Sequence, residues 1–346
     1  MNILIDIGHP AHVHLFKYFI RAMEDKGHRL LATARNKEVA YRLLDHYGIP
    51  YRALGNPYGS VAGKIFGMVR FDLKLLNVSR EFKPDLFLSH SSFYAAQVSA
   101  LLGKPHISFE DTGNMEQIRL YKPFTEAILT PSCFKRDLGR KQIFYDGYHE
   151  LAYLHPNRFK KDPSVLSATG LSEDDIFVII RTVSWKASHD IGKRGLSITN
   201  LKHLTEEISK LARVFITSEF PLPEELQSHR LKIHPEQIHD FMAYASLYIG
   251  EGATMASECA MLGTPAIFIH PQKADTIADQ ENYGLFHYFD SSSGITEKTT
   301  EILTMPDRKE HYDKKREQML AEKIDVTEFL VDLVENRSWK RKKERT

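Results

Sequence analysis

Two doubly wound α/β units in tandem, facing one another across a central cleft, are what this sequence predicts, on three observations. Short apolar runs alternate with amphipathic segments of helical length from residue 2 onward, which implies parallel βαβ units with helices on both faces of a sheet. The alternation breaks at GYHELAYLHPNRFKKDPSVL, residues 147–166, and then restarts. At 346 residues the chain exceeds the roughly 250 to 300 residues at which a single hydrophobic core usually stops growing.

The chain opens MNILIDIGHPAHVHLFKYFI. Residues 2–7 are apolar and β-rich, Gly8 follows, and Val13, Leu15, Phe16, Phe19 and Ile20 recur at near-helical spacing: strand, tight loop, helix. Residues 28–33 read as a strand, 37–46 and 64–82 as helices, 85–89 as a strand, 93–102 as a helix, and 106–109 and 127–130 as strands. In the break, Pro156, Asn157, Lys160, Lys161, Asp162 and Pro163 make a linker. Beyond it come strand 176–180, helix 197–211, strand 214–217, helix 235–245, strand 247–250, helix 254–262 and strand 266–270, with closing helices at 308–322 and 326–334. The expected domains are therefore 1–155 and 156–325, with 326–346 as a C-terminal helix and basic tail. That tail ends NRSWKRKKERT, six basic residues around Trp339; a solvated terminus and a peripheral contact with anionic lipid both fit it.

Composition limits the function classes. Hydrophobic residues at 42% and charged residues at 26%, with no long polar tract, describe a folded globular protein. Lys plus Arg number 46 against 45 acidic residues, a formal charge of +1, so no global field attracts nucleic acid and any anion site must be local. Cys133 and Cys259 lie far apart without metal-ligand spacing, compatible with a reducing compartment. Asp6 interrupts the first apolar run, no basic leader precedes it, and nowhere do about 18 apolar residues follow one another. A cytoplasmic protein without a membrane span is expected, the basic tail leaving a contact with the inner membrane face open.

Candidate chemistry falls mainly at strand carboxyl ends, where open α/β sheets bind ligands. Gly8 to His14 crowds His9, His12 and His14 into six positions. A glycine there lets the chain turn, the N–H groups of the next helix form an anion site, and a neutral imidazole accepts a proton from a sugar hydroxyl near pH 7. The same histidines fit a loop bonded to its own backbone, or a metal pair of His9 and His12; zinc is not expected, since no acidic or cysteine ligand completes a set nearby. The G-x-G-x-x-G dinucleotide fingerprint is not matched.

In GEGATMASECAMLGTPAIF, residues 250–268, Gly250 and Gly252 bracket a turn, Thr254 is expected to cap the following helix, and Gly263, Thr264 and Pro265 close it. Gly252, Ala253 and Thr254 then offer N–H groups to phosphate and Glu258 a carboxylate to ribose hydroxyls; a buried capping glutamate fits equally. After strand 176–180, Arg181, Ser184 and Lys186 can donate to phosphate and Trp185 can cover a base or sugar, or the stretch is a salt-bridge loop. Glu110 and Asp111 follow another strand as potential general bases, a turn or capping role being the simpler expectation for Asp111. Residues 55–76, glycine-rich, apolar and basic, suit a mobile acceptor loop.

The glycine turn, the small residues Ala253, Thr254, Ala256 and Ser257, then Glu258, Gly263 and Pro265 resemble the nucleotide-sugar motif of GT-B glycosyltransferases, among them the peptidoglycan transferase that adds N-acetylglucosamine to a lipid-linked acceptor. The resemblance implies that Glu258 holds ribose, that His12 matches the histidine ending that enzyme's glycine-rich opening loop, and that the Arg181 loop meets the diphosphate. PDLFLSHSSFYAAQVSALLGKPHISFEDT, residues 84–112, and TEAILTPSCFK, residues 125–135, are similar to N-domain segments of the same superfamily. As a whole the chain resembles a bacterial and archaeal GT-B-like family with no assigned reaction. The implied activity is transfer of a sugar from a nucleotide-diphosphate donor to an unknown sugar or lipid-linked acceptor, in cell-surface polysaccharide or glycolipid synthesis. His12 is then the general base and no metal or other cofactor is needed, because a helix N-terminus and Arg or Lys stabilise the departing diphosphate. The alternatives are a sugar-nucleotide epimerase, since UDP-N-acetylglucosamine 2-epimerases share the fold and carry an acid resembling Glu110, and a nucleotide-sugar binding protein without turnover. Against the epimerase, the opening loop lacks that family's arginine and lysine, and its later histidine-arginine pair has no counterpart here.

Overall fold

The computed structural model describes residues 1–56, 61–183 and 196–340, without the side chains of residues 61–66. The chain divides into two compact units: Met1–Arg158 together with Lys323–Thr346, and Phe159–Glu322.

Among the described residues the first unit holds seven strands: β1 (Asn2–Ile7), β2 (Arg29–Arg35), β3 (Tyr51–Gly55), β4 (Leu86–His90), β5 (His106–Phe109), β6 (Ala127–Pro131) and β7 (Gln142–Tyr145). They pair in parallel in the order β3-β2-β1-β4-β5-β6-β7. Ile3, Leu4 and Ile5 of central β1 are fully buried, as expected of a strand covered on both faces, which reads as a continuous apolar run. Three edge strands, β3, β7 and residues Phe286–Phe289 of the second sheet, go beyond the sequence expectation. Edge strands need less apolar surface, and YRALG and QIFY carry too little to stand out from a loop.

The second unit contains β8 (Phe177–Thr182), β9 (Arg213–Ser218), β10 (Leu247–Gly250), β11 (Ala266–Ile269) and β12 (Phe286–Phe289), parallel in the order β12-β11-β10-β8-β9. In each sheet the chain first builds to one side of its opening strand and then returns to the other. The order thus reverses between β1 and β4 in one unit and between β8 and β10 in the other. Connections leave in opposite directions at such a point and open a crevice at the strands' carboxyl ends.

The closing segment is not a separate piece. Helix Val326–Glu335 belongs to the first unit, burying Val326, Leu330, Val331 and Val334 against helices Pro10–Asp25 and Leu151–Leu154. The unit boundary consequently falls at Arg158, and the segment from Lys323 returns to the first sheet. Trp339 is 5% exposed, so the aromatic half of the expected lipid contact is packed inside the fold; residues 341–346 lie outside the described residues. No helix among the described residues is long and apolar enough to cross a membrane.

Asp325 fixes this closure. Its carboxylate accepts the Glu328 N–H at 3.1 Å, capping the helix, and the Arg158 Nε–H at 2.7 Å. Asp325→Ala is expected to lower the unfolding free energy by about 2 kcal/mol, a lost cap plus a lost charge-assisted hydrogen bond. Asp325→Asn, which keeps the cap, should lose about half of that. Urea unfolding of both variants checks this, and equal losses would contradict it.

Candidate functional site

In the first unit, Gly8 follows β1 and His9 caps helix Pro10–Asp25, its Nδ1 accepting the Ala11 N–H at 3.2 Å. His9 is thus a cap residue; its Nε2 lies 3.8 Å from Glu38. His14 also departs from the expected site. Two residues beyond His12 is about 200° around a helix, and the His14 ring packs in the interior, 5.8 Å from Tyr47 and 5.4 Å from Tyr153 between ring centroids. Only His12 of the three stands within ring-stacking range of the cluster below.

That cluster gathers the ends of four strands. His90 closes β4, Asp111 follows β5, His149 follows β7, and the His12 ring lies 4.8 Å from that of His90. Asp111 joins the two other histidines: Oδ1 is 3.0 Å from His90 Nε2 and Oδ2 is 2.9 Å from His149 Nδ1. Burial pushes the Asp111 carboxyl up, but the two imidazoles outweigh it and hold the group below the usual carboxylate range. An ionised carboxylate only accepts, so both imidazoles donate to it. Asp111 is therefore the acid that faces the histidines, not the turn residue its position suggested.

Glu110 points the other way. It is 1% exposed, and its carboxylate accepts the hydroxyls of Ser91, Tyr121 and Thr112 at 2.7 Å each, the Thr112 N–H at 2.9 Å and the Gly113 N–H at 3.1 Å. With its lone pairs engaged by internal donors, Glu110 positions the loops instead of accepting a substrate proton. Asp6 does the same for the neighbouring strands, taking Thr33 Oγ1 at 2.9 Å, Ser92 Oγ at 2.6 Å and Arg35 Nη2 at 3.2 Å. The β-bulge at Ala34/Arg35 falls at the residue that reaches Asp6. A Cβ on Gly8 would lie 2.5 Å from Arg35 Nη2, so a side chain there would push the guanidinium off Asp6.

The tautomer of His12 follows from Gly8. The Gly8 N–H donates to His12 Nδ1 at 3.2 Å, so a neutral His12 carries its proton on Nε2. Burial first, then the charges of His90, His9, Arg35 and His149, holds the imidazole well below its ordinary pKa. In this arrangement His12 presents an N–H to a ligand, and the general-base role expected of it has no free lone pair.

In the second unit, β10 ends at Gly250 and helix Ala253–Leu262 begins after Gly252, which caps it without any side-chain hydrogen bond. Thr254 sits inside the first turn and is not the cap. Among the described residues, the helix N-terminus therefore presents N–H groups with no side chain capping it. Arg181 leaves β8 beside it: a Cβ on Gly252 would lie 3.7 Å from Arg181 Cγ, and one on Gly250 2.9 Å from Arg181 Cβ. The guanidinium donates to Thr217 Oγ1 at 2.7 Å and Glu219 Oε1 at 2.8 Å. Ser184 and Lys186 lie outside the described residues. Glu251, not singled out in the sequence, accepts the Val183 N–H at 3.0 Å and the Leu196 N–H at 2.5 Å. Glu258 is 4% exposed and takes a hydrogen bond from His239 Nε2 at 2.9 Å. Gly252, Ala253, Thr254 and Arg181 thus come together at the reversal of strand order, with Glu258 further along the same helix and oriented by His239.

Sequence reasoning missed His90 and His149. Their signal is position: "FLSH" and "YDGYH" place each at the end of a strand or a few residues beyond it, but β7 was not expected, and His90, one residue past the strand expected at 85–89, was not singled out.

A family described as a protein of unknown function, DUF354, matches residues 1–338. An uncharacterised protein of Methanocaldococcus jannaschii is 24% identical over 286 residues, covering 79% of this chain and 83% of the relative. Among solved structures, the UDP-GlcNAc 2-epimerase of Neisseria meningitidis bound to UDP-GlcNAc superposes with a TM-score of 0.69 at 14% identity, over 97% of this chain and 100% of the other. A glycosyltransferase of Streptomyces sp. SF2575 gives 0.63 at 15% identity, over 97% and 99%. These likenesses establish the fold: GT-B, built of two Rossmann-like units.

Two depressed imidazoles of the first unit make stability depend on pH. His106, fully buried, is held at about 3 by desolvation, and His12 is also lowered. The unfolded chain binds protons at these residues below about pH 6.5 while the folded one does not, so stability is lost as pH falls. At pH 5 His106 alone should cost about 2 kcal/mol relative to pH 7. Nitrogen-15 NMR at pH 7 should find His12 neutral and protonated at Nε2; a proton on Nδ1 would contradict the Gly8 assignment.

Proposed function

Since this chain belongs to DUF354, a family of unknown function, we propose from its geometry that it is a glycosyltransferase that takes a sugar from a nucleotide-diphosphate donor and passes it to an acceptor hydroxyl. The observation that carries this reading is the helix N-terminus at Gly252, open and flanked by Arg181 where the strand order reverses. The N–H groups of Ala253, Thr254 and Met255, with the partial positive charge of the helix, suit a diphosphate. Arg181 joins by exchanging Glu219 for phosphate oxygens, a bidentate match for its planar fork. Positive charge fixed there stabilises the diphosphate as it leaves, without a metal in that role. Glu258, oriented by His239, holds the ribose hydroxyls.

Acceptor chemistry is assigned to the first unit. The His12 Nε2–H donates to an acceptor oxygen, and the proton released by the hydroxyl passes to the ring nitrogen of His90 or His149 that does not donate to Asp111. A second reading, a sugar-nucleotide epimerase, is favoured by that same network, because abstracting and returning one proton needs titratable groups held close together. The product formed without an acceptor separates the two.

Calorimetric titration with UDP, dTDP, GDP and CMP sugars tests the donor site. Saturable binding of one class is expected. Ala253→Asp places a carboxylate on the exposed first turn of the helix, where it adds about 0.3–1 kcal/mol of stability while occupying the proposed phosphate position. The variant should keep or raise its melting temperature and lose affinity more than tenfold. Unchanged affinity would overturn the reading.

A further inference from the structure

We propose that His90, Asp111 and His149 bind a divalent transition-metal ion of the zinc class, leaving the remaining coordination position to water or a substrate oxygen. One ligand atom from each residue lies within 4.8 Å of the others. Two imidazoles and a carboxylate suit Zn²⁺ and its neighbours in the first transition series, and three protein ligands with one open position is the arrangement of a catalytic site, not of a structural one. Bonds of about 2.0–2.2 Å put ligand atoms about 3.3 Å apart on a tetrahedral ion. Asp111 already meets the two nitrogens through different oxygens, Oδ1 at 3.0 Å and Oδ2 at 2.9 Å, so drawing all three residues onto one ion takes an approach of the two rings and a small turn of the carboxylate.

His149 lies between two carboxylates, Nδ1 being 2.9 Å from Asp111 Oδ2 and Nε2 3.5 Å from Glu150 Oε1. An ion bound at Nδ1 and at Asp111 takes the Nδ1 lone pair, and the Nε2–H then points at Glu150. This is the outer carboxylate that commonly orients a ligating histidine. His12 is not a fourth protein ligand, because its Nδ1 accepts the Gly8 N–H and its Nε2 keeps the proton. It stands instead beside the open position as a hydrogen-bond donor.

The inference is independent of the donor-site reading, since binding is measured without sugar, but it gives the cluster that the acceptor reading uses for proton transfer to an ion instead. Full-length protein stripped with chelator is titrated with Zn²⁺ by calorimetry and with Co²⁺ by visible absorption. One equivalent should bind, with the Co²⁺ spectrum of a four- or five-coordinate ion. Asp111→Asn and His149→Ala should each lose saturable binding, Glu150→Gln should weaken it by about ten- to a hundredfold, and His203→Ala, on the exposed surface, should leave it unchanged. Circular dichroism establishes that each variant is folded, and Asp111→Asn, which preserves shape, carries the test if His149→Ala is not. No saturable binding by the parent protein, or binding that survives Asp111→Asn, overturns the proposal and leaves the cluster a hydrogen-bonded network.

Discussion

The buried carboxylate of Glu110 is the fastening on which the histidine cluster depends. Taking a carboxylate out of water costs several kcal/mol unless donors replace its hydration. Here Ser91, Thr112, Gly113 and Tyr121 replace it. They come from the loop after β4, the loop after β5 and helix Met115–Tyr121, so a single acid ties together the segments bearing His90 and Asp111. Burial and the Glu110 charge push the Tyr121 phenol far above its ordinary value, which keeps it a donor. Ser91 adopts a left-handed φ of 52°, a conformation that costs a serine about 1 kcal/mol or more. Its N–H to Ser108 Oγ and its hydroxyl to Glu110 hold it there, between His90 and the helix cap Ser92.

Consecutive acids on one loop thus take opposite parts. Glu110 turns inward and is saturated; Asp111 turns to the imidazoles and stays ionised. The neighbouring His12 is held well below its ordinary pKa by burial and by the charges around it. In the second unit Glu251 does comparable work, since Val183 and Leu196, on either side of residues 184–195, both donate to it. Each unit therefore uses a buried glutamate just past a strand's carboxyl end to hold neighbouring segments, and leaves the exposed polar groups to a ligand.

Much of this was legible in the sequence. Central strands were, because burial on both faces demands unbroken apolar runs such as Ile3-Leu4-Ile5. The turn at Gly250 and Gly252 was, because close packing against Tyr248 and Arg181 forbids a side chain at Gly250. Edge strands were not, because their polar content is that of a loop. The histidine site was half visible: three imidazoles after β1 drew attention, yet helical geometry sends His14 into the core and spends His9 on a cap. His90 and His149 are 59 residues apart and meet only through the sheet order, a relation no local pattern carries. The division of labour between Glu110 and Asp111 depends on which way each side chain turns, and adjacent acids look alike in sequence.

Hydrogen–deuterium exchange of the full chain with and without UDP-N-acetylglucosamine tests the central claim most directly, because it reads the backbone amides proposed to hold the diphosphate. The account predicts slowed exchange concentrated at Gly252 to Met255 and at Arg181 to Val183. Slowed exchange elsewhere, with those amides unchanged under saturating ligand, would contradict it.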